Sequence, residues 1–138
     1  KIMTNNLEEG SSLNIEWDKL EKASNLKGLI PVAVQDIDSK NIILVAYINQ
    51  KAFNESISRK LLILWSSSRN QLWIKGESSG NTYSLIEAYV NCEQNSLLFI
   101  VRAQKSGICH TKNSNGDARN CYYRKINFDD MTLTNLDP

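Results

Sequence analysis

The stretch LIPVAVQDIDSKNIILVAYIN, at residues 29–49, decides the fold class of this chain. Its first third alternates β-branched residues with others, its middle is a cluster of turn-forming residues, and its last third is a continuous apolar run. That pattern predicts two strands joined by a polar turn. Asn49 then stands where a helix cap is expected, so we predict a helix over QKAFNESISRK that ends near Lys60.

Short apolar segments separated by turn-forming residues fill the next part of the chain. LLILW (residues 61–65) is an apolar run, and a strand is predicted at QLWIKG (residues 71–76). TYSLIEAYV (residues 82–90) and SLLFIVRAQ (residues 96–104) flank the polar segment NCEQN and predict a hairpin. Beyond residue 105 we expect mostly loop, with one last short strand in YYRKINF.

The N-terminal part contributes one further predicted element. Residues 1–12 are polar and are set aside as a tail that is disordered or foreign to the native protein, and residues 13–138 are taken as a single domain. Residues 15–23 (IEWDKLEKA) predict a short helix. The fold class is therefore α+β: a strand-rich mixed or antiparallel sheet with two short helices.

Composition excludes several classes of protein. The 138 residues carry 16 Lys and Arg against 15 Asp and Glu, a formal net charge of +1, which excludes a strongly electrostatic nucleic-acid binder. The longest apolar run, Ile42–Ile48, is far shorter than the roughly 20 residues that span a bilayer. The first dozen residues also lack the apolar core of a secretory signal. We expect a cytoplasmic protein without nucleic-acid or membrane partners.

Three cysteines and the single histidine form the first candidate site. Cys92, Cys109, His110 and Cys121 follow the order C-x16-C-H-x10-C, which is not the spacing of a zinc ribbon. Three thiolates with an open fourth position are instead typical of catalytic zinc. Histidine beside such a ligand is suited to moving protons near neutral pH. The alternatives are a Cys92 that is only a small buried residue and a His110 that is only a surface imidazole.

The second candidate site surrounds Cys92. Asn91, Glu93 and Asn95 offer oxygen ligands at alternate positions, and in an extended segment they face away from Cys92. One segment would then serve a hard cation on one face and zinc on the other. Because only one of the three oxygen ligands is charged, a solvated hairpin tip is the alternative interpretation.

The segment WSSSRNQLWIKGESSGN, at residues 65–81, is the third candidate site. It combines two tryptophans with Arg69, Lys75 and several small residues. Cations supply charge for a phosphate and an aromatic ring supplies a face for a base, so the segment indicates a phosphorylated, planar ligand. The residue order of a P-loop is absent. The alternative is that tryptophans at strand spacing belong to the core.

An ordered set of motifs extends over residues 29–124: IPVAVQD, ILVAYIN, the WSxSRxxLWxKGExSGN pattern, NCEQNSLL, Gln104, CHT at residues 109–111 and CYYR at residues 121–124. This set resembles the phosphoribosyl-AMP cyclohydrolase family of histidine biosynthesis. The resemblance implies an intertwined homodimer that acts on a small-molecule nucleotide. No single motif is specific, but the ordered set is.

The resemblance implies a zinc site divided between two chains. In that family one cysteine of one chain and two of the other bind zinc, and the matching positions are Cys92, Cys109 and Cys121. Sharing would explain why no compact zinc spacing lies within one chain. The implied reaction is hydrolytic opening of the adenine ring of phosphoribosyl-AMP between N1 and C6. The resemblance makes His110 the catalytic residue that moves the proton.

The resemblance also assigns residues to the substrate. The implied contacts are Arg69 and Lys75 at phosphate, Trp73 and Glu77 as shapers of the pocket, and Thr111 as a further binding residue. These assignments are expectations carried over position by position.

Three departures from the family pattern bear on these expectations. The family carries aspartates that bind Mg²⁺ at the positions of Asn91, Glu93 and Asn95, so the formal ligand charge falls from three to one, which disfavours Mg²⁺. Ser67 replaces an arginine, and the spacer at residues 110–120 is longer than expected. Two alternatives stay open: a diverged member that acts on another purine nucleotide, and a non-catalytic, zinc-bridged dimer that binds a nucleotide.

Overall fold

The computed structural model describes residues 6–13, 28–105 and 107–138. After a short helix, α1 (Asn6–Glu9), the described chain continues with strands β1 (Ile30–Asp36) and β2 (Ile42–Ile48), which pair antiparallel. The carboxylate of Asp36 closes their turn by accepting from the Ser39 N–H at 2.7 Å. The strand, turn and strand predicted over residues 29–49 are confirmed.

The helix that follows β2 begins and ends where the sequence predicts. In α2 (Gln50–Arg59) the side chain of Asn49 accepts from the Ala52 N–H at 2.9 Å and caps the first turn. Lys60 ends the helix in the left-handed conformation, and its N–H donates to the Ser56 carbonyl.

A four-stranded mixed sheet carries the core. Strands β5 (Tyr83–Val90) and β6 (Leu97–Ala103) form the predicted hairpin, and the sheet order is β2-β1-β6-β5. The β1–β6 pair is parallel and the other two pairs are antiparallel, so the predicted α+β fold with a mixed sheet is confirmed. The inward-facing residues of the central strands are fully buried: Val32, Val34, Phe99 and Val101.

A second hairpin, formed by β3 (Ile63–Ser66) and β4 (Gln71–Ile74), packs beside the helix. The buried hydroxyl of Ser56 in α2 donates to the Ile63 carbonyl at 2.8 Å and accepts from the Ile63 N–H at 3.1 Å. The Leu62 N–H donates to the Tyr83 carbonyl, which ties the hairpin to β5. Helix and sheet thereby fix the position of the β3–β4 turn.

The C-terminal part ends in a small hairpin of β7 (Arg124–Ile126) and β8 (Leu133–Asn135). The last strand predicted in YYRKINF is present in part as β7, whereas three-residue β8 was not predicted. The helix predicted at residues 15–23 lies outside the described residues, and the domain boundary at residue 13 stays a prediction. Residues 6–13 contact the C-terminal part, since Ser12 bridges to Thr132. Among the described residues, no helix is long and apolar enough to cross a membrane.

Candidate active site

A cavity of about 550 Å³ lies between the β3–β4 hairpin and the loop that follows β6. The hairpin turn and β4 supply one wall, and residues 105 and 107–118 supply the other. Several residues that the sequence singled out line the cavity together: Arg69, Trp73, Lys75, Glu77, Cys109 and His110.

The cavity wall is strongly cationic for a chain whose net charge is +1. Glu77 is the one Asp or Glu among the described lining residues. The Lys75 ammonium lies 4.6 Å from the centre of the Trp73 ring, a cation–π contact that also orients the ring. An anionic group and a planar base are the ligand chemistry that this wall suits. The lining cations are Arg69, Lys75, Lys105 and Lys112.

Hydrogen bonds join the two walls. The Asn81 side-chain amide donates to the Gly107 carbonyl at 3.1 Å, and its oxygen accepts from the Lys105 N–H at 2.7 Å. Gly76 permits this closure: its φ is +83°, and a Cβ there would lie 1.9 Å from the Asn81 carbonyl oxygen. The Asn81 side chain and the close approach of the backbone at Gly76 therefore hold the two walls of the cavity together.

Two of the three thiols meet at the cavity wall, to which Cys109 belongs. The backbone N–H of Cys121 donates to Ile43 in β2, and that of Cys109 donates to the Arg119 carbonyl, so both thiols lie at the carboxyl end of β6. Burial raises the pKa of the Cys121 thiol, and the adjacent Cys109 raises it further. Two neighbouring thiols ionise together only beside a cation, which is the chemistry of a metal-binding pair.

Lys75 and Thr111 surround this pair of thiols. Burial lowers the pKa of Lys75, and the charges of Cys121 and Cys109 oppose that shift. The Thr111 hydroxyl lies 3.1 Å from the Cys109 sulfur, and the Thr111 N–H donates to that sulfur at 3.4 Å. Thr111 is buried and is not among the described lining residues of the cavity, so its part in substrate binding stays a prediction.

The third thiol lies at the other end of the sheet. Cys92 is exposed in the turn between β5 and β6. Strand β6 separates it from Cys109, and seven extended residues span about 23 Å. Consistent with that distance, no group of three His, Cys, Asp or Glu side chains within the described residues is placed to hold a metal ion. One chain brings two of its three thiols together.

The turn around Cys92 is closed by its own amides. The Asn91 side-chain oxygen accepts from the backbone N–H groups of Asn95 and Ser96, each at 2.9 Å. The Asn91 amide nitrogen donates to the Asn95 side-chain oxygen at 2.6 Å. The oxygens that the sequence offered to a hard cation are thus engaged within the turn, and Glu93 is exposed beside them.

His110 borders the cavity and also contacts the N-terminal segment. Its Nε2 pairs with the carboxylate of Glu8 in α1. Sequence reasoning missed Glu8 because residues 1–12 were set aside on their polar composition. It also missed Lys105 and Lys112, although their closeness in sequence to Cys109 was an available signal.

Comparison with known proteins shows the family to which this chain is similar. Residues 44–123 match the family model described as phosphoribosyl-AMP cyclohydrolase. The chain is similar to proteins of that name from Archaeoglobus fulgidus (38% identical over 105 residues, 76% of this chain and 92% of the relative) and Chlorobium limicola (32% over 127 residues, 92% and 82%). A third such relative, from Chlorobium phaeovibrioides, is 37% identical over 103 residues, 75% of this chain and 71% of the relative. The family match contains the whole cavity lining and leaves out residues 6–13.

Proposed function

This chain belongs to the phosphoribosyl-AMP cyclohydrolase family of histidine biosynthesis, and from that premise we propose that it opens the adenine ring of phosphoribosyl-AMP between N1 and C6 in a zinc-dependent hydrolysis. The observation that carries the proposal is the cavity, which sets cations and the Trp73 ring beside Cys109 and His110. A site that hydrolyses a nucleotide with two phosphate groups needs cations for the phosphates, an aromatic ring for the base and a hydrolytic centre, all within the length of the substrate.

Substrate binding follows from the wall residues. Arg69 and Lys75 hold phosphate from the hairpin side, and Lys105 and Lys112 do so from the loop side, since each borders the cavity. The cations from two walls can hold two separate phosphates. Ser67, which stands where the family carries an arginine, lies in the exposed β3–β4 turn outside the described lining. The four cations that line the cavity are therefore sufficient to bind phosphate without an arginine at position 67.

Zinc fits the pair of thiols at the cavity wall. Cys109 and Cys121 are adjacent and half-buried, the Thr111 N–H donates to the Cys109 sulfur, and the Thr111 hydroxyl lies 3.1 Å from that sulfur. Zinc held there supplies a centre that lowers the pKa of water to about 7. His110, on the cavity wall, accepts a proton from the attacking water and returns it to the leaving nitrogen. Water adds to C6, the N1–C6 bond breaks, C6 becomes a carboxamide and N1 gains a proton.

A third zinc ligand from a second chain is part of the proposal. Cys92 is exposed and lies too far along β6 to join the pair in its own chain. In a homodimer with two-fold symmetry, each exposed Cys92 completes the pair of the partner. Exposed apolar residues along β5 support a protein partner at this edge: Ile86, Tyr89 and Val90.

Magnesium does not fit the turn around Cys92 as this chain builds it. The Asn91 oxygen is engaged by two backbone N–H groups and the Asn95 oxygen by the Asn91 amide. Amide oxygens also carry no formal charge to offset the dehydration of Mg²⁺. No step of the proposed reaction uses Mg²⁺.

Turnover of phosphoribosyl-AMP by zinc-loaded protein tests the proposal. We expect ring opening that is lost after strong chelation and in Cys109→Ala, and that Cys109→Ala binds less zinc. Pure, zinc-loaded protein that fails to turn over the substrate would overturn it. In that case, thermal shifts with other purine nucleotides would identify a diverged substrate or a non-catalytic binder.

A further inference from the structure

The segment of residues 6–13 reaches the candidate active site through one carboxylate. Glu8 pairs with Nε2 of His110, the single histidine of the chain. The Glu8 side chain is 28% exposed and the His110 side chain 77% exposed. The imidazole ring therefore borders the cavity while its Nε2 is bound by the Glu8 carboxylate.

Neighbouring contacts fix Glu8 in place. The Tyr123 hydroxyl donates to the Glu8 backbone carbonyl at 2.5 Å. The next residue, Glu9, accepts two hydrogen bonds from the buried guanidinium of Arg119, at 2.7 and 3.1 Å. The carbonyls of residues 10 and 11 then accept from β7 and β8. Because the backbone from Glu8 to residue 11 is held, the Glu8 carboxylate meets the ring with little further loss of conformational entropy.

We infer that Glu8 is a positioning residue, which holds the His110 imidazole by Nε2 and directs Nδ1 to accept and return the proton of ring opening. A carboxylate only accepts hydrogen bonds, so in the neutral ring Nε2 carries the hydrogen and Nδ1 carries the lone pair. The inference rests on the proposed function. It concerns a part of the chain that lies outside the span matched by the family model, residues 44–123.

Two adjacent glutamates provide a matched experiment. In zinc-loaded protein without an affinity tag, Glu8→Ala is expected to lower kcat about 10-fold to 100-fold with KM nearly unchanged, as for other residues that orient a catalytic group. Glu9→Ala removes a stronger anchor of the same segment but leaves the Glu8 carboxylate, so its kcat should stay near wild type while its Tm falls. Glu8→Gln should recover part of the kcat, because its amide oxygen still accepts from Nε2–H.

The single histidine provides a readout that does not depend on turnover. A hydrogen-bonded imidazole N–H gives a downfield proton resonance, which we expect in wild type and in Glu9→Ala and not in Glu8→Ala. A resonance that survives in Glu8→Ala, or equal kcat values for the two alanine variants, would overturn the inference. Absence of turnover by the wild type overturns the proposed function instead, and the resonance then still tests the contact.

Discussion

Arg119 is the one charged side chain that the described part of the chain buries almost completely, at 3% exposure. Its guanidinium binds both carboxylate oxygens of Glu9 and stacks on the Tyr123 ring, 4.5 Å from the ring centre. A buried cation without its partner is costly, so this pair stabilises the packing of residues 6–13, together with the hydrogen bonds that their backbone accepts from Tyr123, Arg124 and Leu133. The hydrogen bond to Arg119 and the charges of Arg119 and Arg124 lower the pKa of Glu9.

The lowered pKa gives this pair a pH dependence of known sign. A carboxylate whose folded pKa lies below its ordinary value of 4.5 stabilises the fold above that value, and the stabilisation is lost as the pH falls through the lowered pKa. We expect Glu9→Gln to melt below wild type at neutral pH and to approach it in acid, as the pH falls through the lowered pKa of Glu9. Thermal unfolding of both proteins across this range measures the effect. A Tm difference between the two proteins that does not change with pH would show that the ionisation of Glu9 does not contribute to the stability of the fold.

At this scale, local pattern decided what the sequence could predict. Arg69, Trp73 and Lys75 lie in one segment, so their joint placement followed from a turn and a strand. Glu8 and Lys105 reach the same cavity from distant parts of the chain, and an isolated charged residue carries no periodic signal. The contact of Glu8 with His110 depends on how three separate segments pack.

The Ser56 hydroxyl links helix α2 to the β3–β4 hairpin by hydrogen bonds to the Ile63 backbone. Replacing Ser56 by alanine leaves the buried N–H and carbonyl of Ile63 without that partner. We expect a loss of about 1–3 kcal/mol in unfolding free energy, the typical cost of unsatisfied buried polar groups. Urea unfolding at one protein concentration measures it, with Ser58→Ala, on the exposed side of the same helix, as the control. Equal losses in the two variants would contradict the assignment.

The turn between β5 and β6 makes a different prediction. Asn91 and Asn95 are joined by a neutral hydrogen bond, and the double variant Asn91→Asp, Asn95→Asp places two carboxylates there. We expect this variant to melt below wild type without divalent cations, because like charges repel, and to be restored by Mg²⁺. Wild type should show no such response. Thermal melts with MgCl₂ against NaCl of equal ionic strength measure it, and a Mg²⁺ shift of equal size in wild type would contradict it.

The elements themselves were predictable where one signal dominated. β2 and the cap of α2 by Asn49 followed from an apolar run and a capping residue. Strand β8 has only three residues, and it forms because β7 and the backbone of residue 11 pair with it. Such pairing leaves no pattern in the local sequence from which the strand could be predicted. The order of the strands in the sheet could not be predicted from the sequence either, because the parallel β1–β6 pair joins segments far apart in the chain.

For the whole molecule, the proposed shared site predicts complementation between two damaged chains. Cys92→Ala and Cys109→Ala should each be inactive alone. In a mixed dimer, Cys92 from one chain meets the intact thiol pair of the other, so one of its two sites is complete. An equal mixture that exchanges subunits at random should recover about a quarter of wild-type activity and zinc content. Assays before and after refolding the mixture measure this, and no recovery would exclude a site divided in this way.

The parallel pairing of β1 with β6 also has a consequence for the order of folding. The β1–β2 and β5–β6 hairpins each form from neighbouring segments, whereas contact between Val32 and Leu97 requires closure of a long loop and is expected late. Cys121 is tied to β2 and Cys109 follows β6. The pair of thiols therefore reaches its final position beside β2 only after both hairpins have docked. A chain emerging during synthesis can bring the two thiols together through a short loop, but their burial against β2 comes with the last step of folding.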